Sequence, residues 1–118
     1  MYGEKARQLI IELPNRGTLS DATHTASVEN PVCGDITHLY LRIEDGVIYQ
    51  CRFQTAGCPA AIAATAAVTI LCQEKTTEEA KQITSQLLLD YLGGLPSHKL
   101  HGADLAIQAL QEALSQCD

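Results

Sequence analysis

Residues 39–53 read LYLRIEDGVIYQCRF, and the alternation of apolar and polar side chains in this stretch decides the fold. The apolar positions, two residues apart within each half, are Leu39, Leu41 and Ile43 and then Val47, Tyr49, Cys51 and Phe53. A period of two is that of a β-strand with one buried face. Asp45-Gly46 between the halves is a hairpin-turn signal, so the stretch predicts two antiparallel strands.

The loop of this hairpin is predicted to contain three residues, 44–46, rather than two. A two-residue loop would place Leu39 opposite Arg52, which mixes apolar and polar side chains on one face. A three-residue loop pairs Ile43 with Val47 and makes one face uniformly apolar. The three-residue loop is therefore the prediction.

This register also makes a prediction about the open end of the hairpin. If the two strands stay paired beyond residue 36, Cys33 lies opposite Gly57 and beside Cys58. Two cysteines that are distant in sequence would then meet at one end of the sheet.

The remaining chain is predicted to be mainly helical, with one further short strand over residues 22–28. Apolar spacing and end signals indicate the helices. One stops before Pro14, and one runs from Cys58 to Cys72. Helical structure also begins at the Thr76–Glu79 capping box, covers Ser85–Leu92, and begins again near Gly102. The predicted fold class is α+β, a small antiparallel sheet of about three strands with helices packed on one face. We expect a single domain over residues 1–118.

Composition excludes several classes of function. The formal net charge of −6 argues against nucleic acid and against an anionic membrane surface as partners. No apolar run is long enough for a membrane span, and the first residues lack the apolar core of a signal peptide. A cytoplasmic location is therefore expected. In a reducing compartment, five cysteines indicate metal or redox chemistry rather than disulfides.

Four side chains are candidate metal ligands. Cys33 and Asp35 flank a glycine in a loop, Cys58 lies where a helix begins, and His101 precedes the last helix. The helix dipole favours a thiolate at Cys58, and a neutral imidazole is a common ligand. Such a set suits tetrahedral zinc and also a solvent-accessible [2Fe–2S] centre, and spacing alone leaves both open.

Each candidate also has an ordinary structural interpretation. Cys33 and Cys58 could be small core residues, Asp35 a turn-forming carboxylate, and His101 a histidine that bonds the backbone at a helix start. The remaining cysteines within regular elements, Cys51 on the strand face and Cys72 in the Ala-rich helix, are predicted to be buried structural residues.

Several motifs together point to a known family. They are YGEK at 2–5, NRG at 15–17, ENPVCGD at 29–35, TAGC at 55–58, TTEEA at 76–80 and KLH at 99–101. With these motifs the chain resembles the IscU-type iron–sulfur cluster assembly scaffold proteins, which also form the N-terminal domain of NifU. The resemblance implies the IscU/NifU-like (SufE/NifU-type) fold.

The resemblance implies a scaffold or carrier that binds iron, a [2Fe–2S] cluster or zinc, and not an enzyme. Cys33, Asp35, Cys58 and His101 match the ligand positions of the family, with Asp35 the exchangeable ligand. Zinc is the ion expected in isolated protein. Lys99 matches a basic residue near the site, and Tyr2 (with the N-terminal helix) matches a residue associated with self-association into a homo-oligomer.

The implied partners are those of cluster assembly. They are a cysteine desulfurase of the IscS/NifS type, a frataxin-like protein, an Hsp70-type chaperone and acceptor apoproteins. The family's chaperone-recognition stretch is altered here to LPSHK at 95–99, which makes the chaperone the least supported of these partners.

One position departs from the family pattern. The family has a third cysteine directly after the histidine, and this chain has Gly102 there. The departure removes a thiolate ligand and supports an alternative function. In that alternative, the chain is a degenerate paralogue that binds zinc or iron and regulates or partners the assembly machinery without building clusters.

Overall fold

A computed structural model describes residues 1–31 and 34–116 of the chain. The elements, in chain order, are α1 (Glu4–Glu12), β1 (His24–Glu29), β2 (Ile36–Glu44), β3 (Val47–Ala56), α2 (Pro59–Cys72), α3 (Thr77–Ala80), α4 (Ser85–Leu92), a 3-10 helix (Ser97–Lys99) and α5 (His101–Leu114). The strands form one antiparallel sheet in the order β1-β2-β3, against which α2 and α5 pack. The predicted α+β class is confirmed.

Helix α2 lies at the centre of the molecule. It packs against β3 and against α1, α4 and α5. Its sequence, PAAIAATAAVTILC, supplies small side chains on nearly every side, and ten of its residues are buried. Alanines let the backbones of neighbouring elements approach closely, whereas larger apolar residues on the sheet and on α5 fill the remaining volume.

The hairpin loop differs from the prediction. Glu44 pairs with Val47 and Ile43 with Ile48, which leaves only Asp45 and Gly46 in the turn. Their φ angles, 51° and 76°, are both left-handed, as a type I′ two-residue turn requires. The prediction of a three-residue loop is therefore wrong.

The extra residue lies in β3 rather than in the loop. The register shifts between Arg42 and Ile43 of β2. Ile43 pairs with Ile48 and Arg42 pairs with Gln50, so Tyr49 of β3 forms a bulge. Tyr49 is 47% exposed, whereas Ile48 is buried. The prediction that Tyr49 lies on the buried apolar face is therefore wrong. Because of the bulge, Ile48 lies on the buried face and Tyr49 on the exposed one. Leu41 then lies opposite Cys51 on the buried face.

The shifted register changes what meets at the open end of the hairpin. Ile36 pairs with Ala56, so continuing the ladder by one step brings Asp35 to Gly57. The predicted pairing of Gly57 with Cys33 required the other register. Cys33 itself lies outside the described residues.

The predicted helix ends are confirmed. Thr76 and Glu79 form the reciprocal capping box at the start of α3, and Gly93 ends α4 in the left-handed conformation. The strand predicted over residues 22–28 corresponds to β1. Within residues 1–31 and 34–116, no helix has the length and apolar character needed to cross a membrane.

Candidate metal centre

Three elements converge at one end of the molecule and bring together three of the predicted ligands. Asp35 immediately precedes β2, Cys58 is the N-cap residue of α2, and His101 is the first residue of α5. One carboxylate oxygen, the thiol sulfur and one imidazole nitrogen of these residues all lie within 4.8 Å of one another. Within the part of the chain that the structure describes, this group has three members.

Asp35 lies at the middle of the group. It is only 3% exposed, and its Oδ1 accepts a hydrogen bond from the backbone N–H of Cys58 at 3.2 Å. Its Oδ2 lies 3.5 Å from Cys58 Sγ and 3.6 Å from His101 Nε2. A buried carboxylate is stable only when hydrogen-bond donors or a cation compensate its charge. The buried position of Asp35 is therefore compatible with a bound cation.

The imidazole of His101 has an unsatisfied atom in this site. Its Nε2 is buried and, among the described residues, has no hydrogen-bond partner. Buried polar nitrogens are nearly always paired, and Asp35 Oδ2, at 3.6 Å from this nitrogen, lies just beyond hydrogen-bond length. A metal ion bonded to Nε2 would satisfy it.

Two of the three donor separations are close to those expected around one tetrahedral ion. Bonds of about 2.0 to 2.3 Å from zinc to oxygen, nitrogen and sulfur place neighbouring donors about 3.3 to 3.5 Å apart at the tetrahedral angle. The two measured separations from Asp35 Oδ2, 3.5 Å to Cys58 Sγ and 3.6 Å to His101 Nε2, agree with these lengths. The donor set of one O, one S and one N suits zinc or iron rather than magnesium or calcium.

Two helix N-termini point at the group. Cys58 caps α2 and His101 begins α5. The partial positive charge at a helix N-terminus favours anionic groups such as thiolate and carboxylate. Cys58 and His101 are both partly exposed, and a groove lined by Glu29, Pro31 and Asp104 borders His101. Of the three donor residues, His101 lines this groove.

The structure also describes Lys99 and Tyr2, which the family resemblance singled out, and the neighbouring His98. Cys33 falls outside the described residues, so its predicted role stays a prediction. His98 is exposed and Lys99 half-buried on the 3-10 helix before α5. Tyr2 is partly buried and packs against the core, as a residue with a purely structural role at this position would.

Gly102 has a packing role that the sequence did not indicate. A Cβ atom at this position would lie 2.9 Å from the carbonyl carbon of Ala60 and 3.0 Å from the Ala61 nitrogen. Those atoms are backbone and cannot move aside cheaply. Gly102 thus makes a close contact between the first turns of α2 and α5, at whose N-termini Cys58 and His101 lie.

The two predicted structural cysteines are buried, as expected. Cys51 is 1% exposed on β3 and Cys72 is fully buried at the end of α2. Burial raises the pKa of the Cys51 thiol well above its ordinary value, and the neighbouring Cys72 thiol raises this pKa further. The Cys51 thiol therefore stays neutral, and both buried cysteines belong to the core rather than to the candidate site.

The fold and this donor group define a small α+β domain with a candidate metal site, and comparison with known proteins identifies its family. The family model for the NifU-like N terminal domain matches residues 1–118. The chain belongs to this family.

Named relatives span most of the chain. The iron-sulfur cluster assembly scaffold protein IscU 1 of Archaeoglobus fulgidus is 40% identical over 114 residues, which cover 97% of this chain and 74% of that protein. The scaffold protein IscU of Aquifex aeolicus is 33% identical and covers 96% and 73%. The nitrogen fixation protein NifU of Trichormus azollae is 33% identical, with 96% of this chain matched to 40% of NifU.

Solved structures share the fold at low sequence identity. A putative scaffold protein for the SUF system from Fervidobacterium islandicum has a TM-score of 0.80 at 18% identity, covering 96% of both chains. A NifU-like N-terminal protein from Brucella abortus has a TM-score of 0.81 at 15% identity, covering 97% of this chain and 92% of that one. These matches confirm the predicted IscU/NifU-like fold.

Proposed function

We propose that this protein is an iron–sulfur cluster assembly scaffold or carrier, which receives iron or a [2Fe–2S] unit as cargo and passes it on. The observation that carries the proposal is the convergence of Asp35, Cys58 and His101, whose donor atoms lie within 4.8 Å of one another. Membership of the NifU-like family and the scaffold names of the relatives support it.

In the proposed site, each residue has a separate role. Cys58 supplies a thiolate at a helix N-terminus, and His101 supplies the imidazole nitrogen that has no hydrogen-bond partner among the described residues. Asp35 supplies an oxygen, which iron releases more readily than sulfur, so Asp35 is the exchangeable ligand. Cys33 is the proposed fourth ligand. None of these roles requires catalytic turnover, so we propose a carrier and not an enzyme.

The proposed partners follow from this role. Sulfur would come from a cysteine desulfurase of the IscS/NifS type, and a frataxin-like protein and an Hsp70-type chaperone would assist loading and transfer to acceptor apoproteins in the cytoplasm. Zinc would occupy the same donors in protein isolated without iron, because it accepts the same ligand types. Self-association through Tyr2 and the N-terminal helix stays a prediction.

Anaerobic reconstitution tests the proposal. Protein incubated with ferrous iron, a cysteine desulfurase, cysteine and a thiol reductant, which reduces the transferred sulfane sulfur to sulfide, is expected to gain iron and acid-labile sulfide together, with visible absorption. Cys58→Ser and His101→Ala should each abolish the absorption, since each removes a ligand. His98→Ala is the matched control, because His98 lies exposed three residues before His101; it should load like the parent.

The same experiment separates the scaffold from its alternative. If the parent protein binds zinc or iron in proportion to protein but never gains sulfide, it is a metal-binding partner of the machinery, and the scaffold proposal is wrong. The packing of Gly102 where the family has a thiolate is the observation that favours this second candidate.

A further inference from the structure

Gly57, which precedes Cys58, occupies a position where a side chain has no room. A Cβ atom there would lie 2.3 Å from Asp35 Oδ1, 2.6 Å from Asp35 Cγ and 2.9 Å from Asp35 Cβ. All three are atoms of one side chain. The carboxylate therefore rests directly against the backbone of residue 57, in the volume that any other amino acid would fill.

Backbone conformation does not explain this glycine. The glycines with positive φ in the described chain are Gly17, Gly34, Gly46, Gly93 and Gly94. Gly57 is not among them, so its backbone is one that an ordinary L-residue adopts without strain. What the position requires is space, and the space is taken by Asp35.

The position of the Asp35 carboxylate determines the geometry of the site. From there it accepts the Cys58 N–H at 3.2 Å and places Oδ2 3.6 Å from His101 Nε2. Asp35 is 3% exposed, so the surrounding core offers little volume for another rotamer. A side chain at residue 57 would push the carboxylate away from both partners.

We propose that Gly57 is a positioning residue of the metal site: the absence of its side chain seats the Asp35 carboxylate against Cys58 and His101. The inference rests on the proposed function, because it assumes that these three side chains share an ion. It differs from a ligand assignment, since Gly57 contributes no donor atom.

A double-mutant cycle with Co²⁺ and Zn²⁺ tests this role. Gly57→Ala keeps every donor, yet it should weaken binding of either ion by about 10- to 100-fold, the usual effect of removing a group that orients a ligand. In an Asp35→Ala background the same change should alter the affinity by less than about threefold, because the side chain through which Gly57 acts is gone. The readouts are cobalt absorption, competitive zinc titration and the melting temperature of the metal-free proteins.

Controls keep the outcomes distinct. Gly3→Ala also introduces a crowded Cβ, 2.3 Å from the Leu92 carbonyl oxygen, so it should lower the melting temperature without changing metal affinity. If Gly57→Ala fails to fold, the double variant with Asp35→Ala should fold, because it lacks Asp35 Oδ1 and Cγ, the two atoms nearest to the added Cβ.

Three results would be decisive. Parent-like affinity in Gly57→Ala overturns the positioning role and leaves the proposed function intact. An equal loss of affinity with and without Asp35 overturns it as well. A parent protein that binds neither ion overturns the proposed function instead.

Discussion

At the scale of single residues, the described cysteines divide into two environments. Cys58 is partly exposed at a helix N-terminus beside a carboxylate and an imidazole. Cys51 and Cys72 are buried in the apolar core, where Cys51 has a raised pKa. The same residue type therefore lies in the candidate ligand site at one end of α2 and in the core at the other.

This division predicts selective thiol labelling. Iodoacetamide should modify Cys58 of native metal-free protein between pH 7 and pH 9 and leave Cys51 and Cys72 unmodified. Cys51 is out of reach, and its raised pKa keeps the reactive thiolate scarce over this range. Peptide mass spectrometry gives the extent of modification at each site, and protein in urea, where all thiols are exposed, is the control. Labelling of native Cys51 as fast as Cys58 would contradict the assignment.

Much of the site was predictable at this scale. Asp35 was indicated by residue type and by its place in a loop, Cys58 and His101 by their places where helices begin, and all three by the family motifs. The structure brings them together. The roles of Gly57 and Gly102 were not predictable, because they depend on which backbone or side-chain atoms lie 2 to 3 Å away in space. In the sequence, the one indication of the close packing at position 57 was that the residue before Cys58 is a glycine.

At the scale of elements, the hairpin sets which residue reaches the site. A two-residue turn with a bulge at Tyr49 and a three-residue turn without one both keep most apolar residues on one face. The sequence pattern alone therefore did not separate them. The left-handed Asp45-Gly46 turn and the bulge bring Asp35 to Gly57. Helix positions were predicted well because Pro14, the capping box and Gly93-Gly94 are strong end signals.

The turn makes a stability prediction. Gly46→Ala should lower the free energy of unfolding by about 1 to 2 kcal/mol, the cost of a Cβ in the left-handed region. Nothing lies within 4 Å of the added atom, so the cost is conformational and not a clash. Urea unfolding measures it.

Asp45→Asn is the matched control for this turn. Asparagine tolerates the left-handed conformation as well as aspartate does, so the midpoint should be unchanged. If Gly46→Ala were as stable as the parent, the two-residue left-handed turn would be wrong.

At the scale of the whole molecule, one end of the fold is organised around the three donors. The N-termini of α2 and α5 and the open end of the β2–β3 hairpin meet there, and α2 packs against α1, α4, α5 and β3. Each donor is thus attached to a rigid element rather than to a long loop. Such a frame holds the three side chains at fixed separations.

The proposed scaffold function requires that Asp35, Cys58 and His101 bind one ion together. X-ray absorption at the zinc edge of zinc-loaded protein measures this most directly. We expect a mixed shell, with the two sulfurs of Cys33 and Cys58 at about 2.3 Å and nitrogen or oxygen at about 2.0 to 2.1 Å. Cys58→Ser should remove one of the two sulfurs, and His101→Ala should remove an imidazole. A parent spectrum without sulfur, or one that neither substitution changes, would contradict the account.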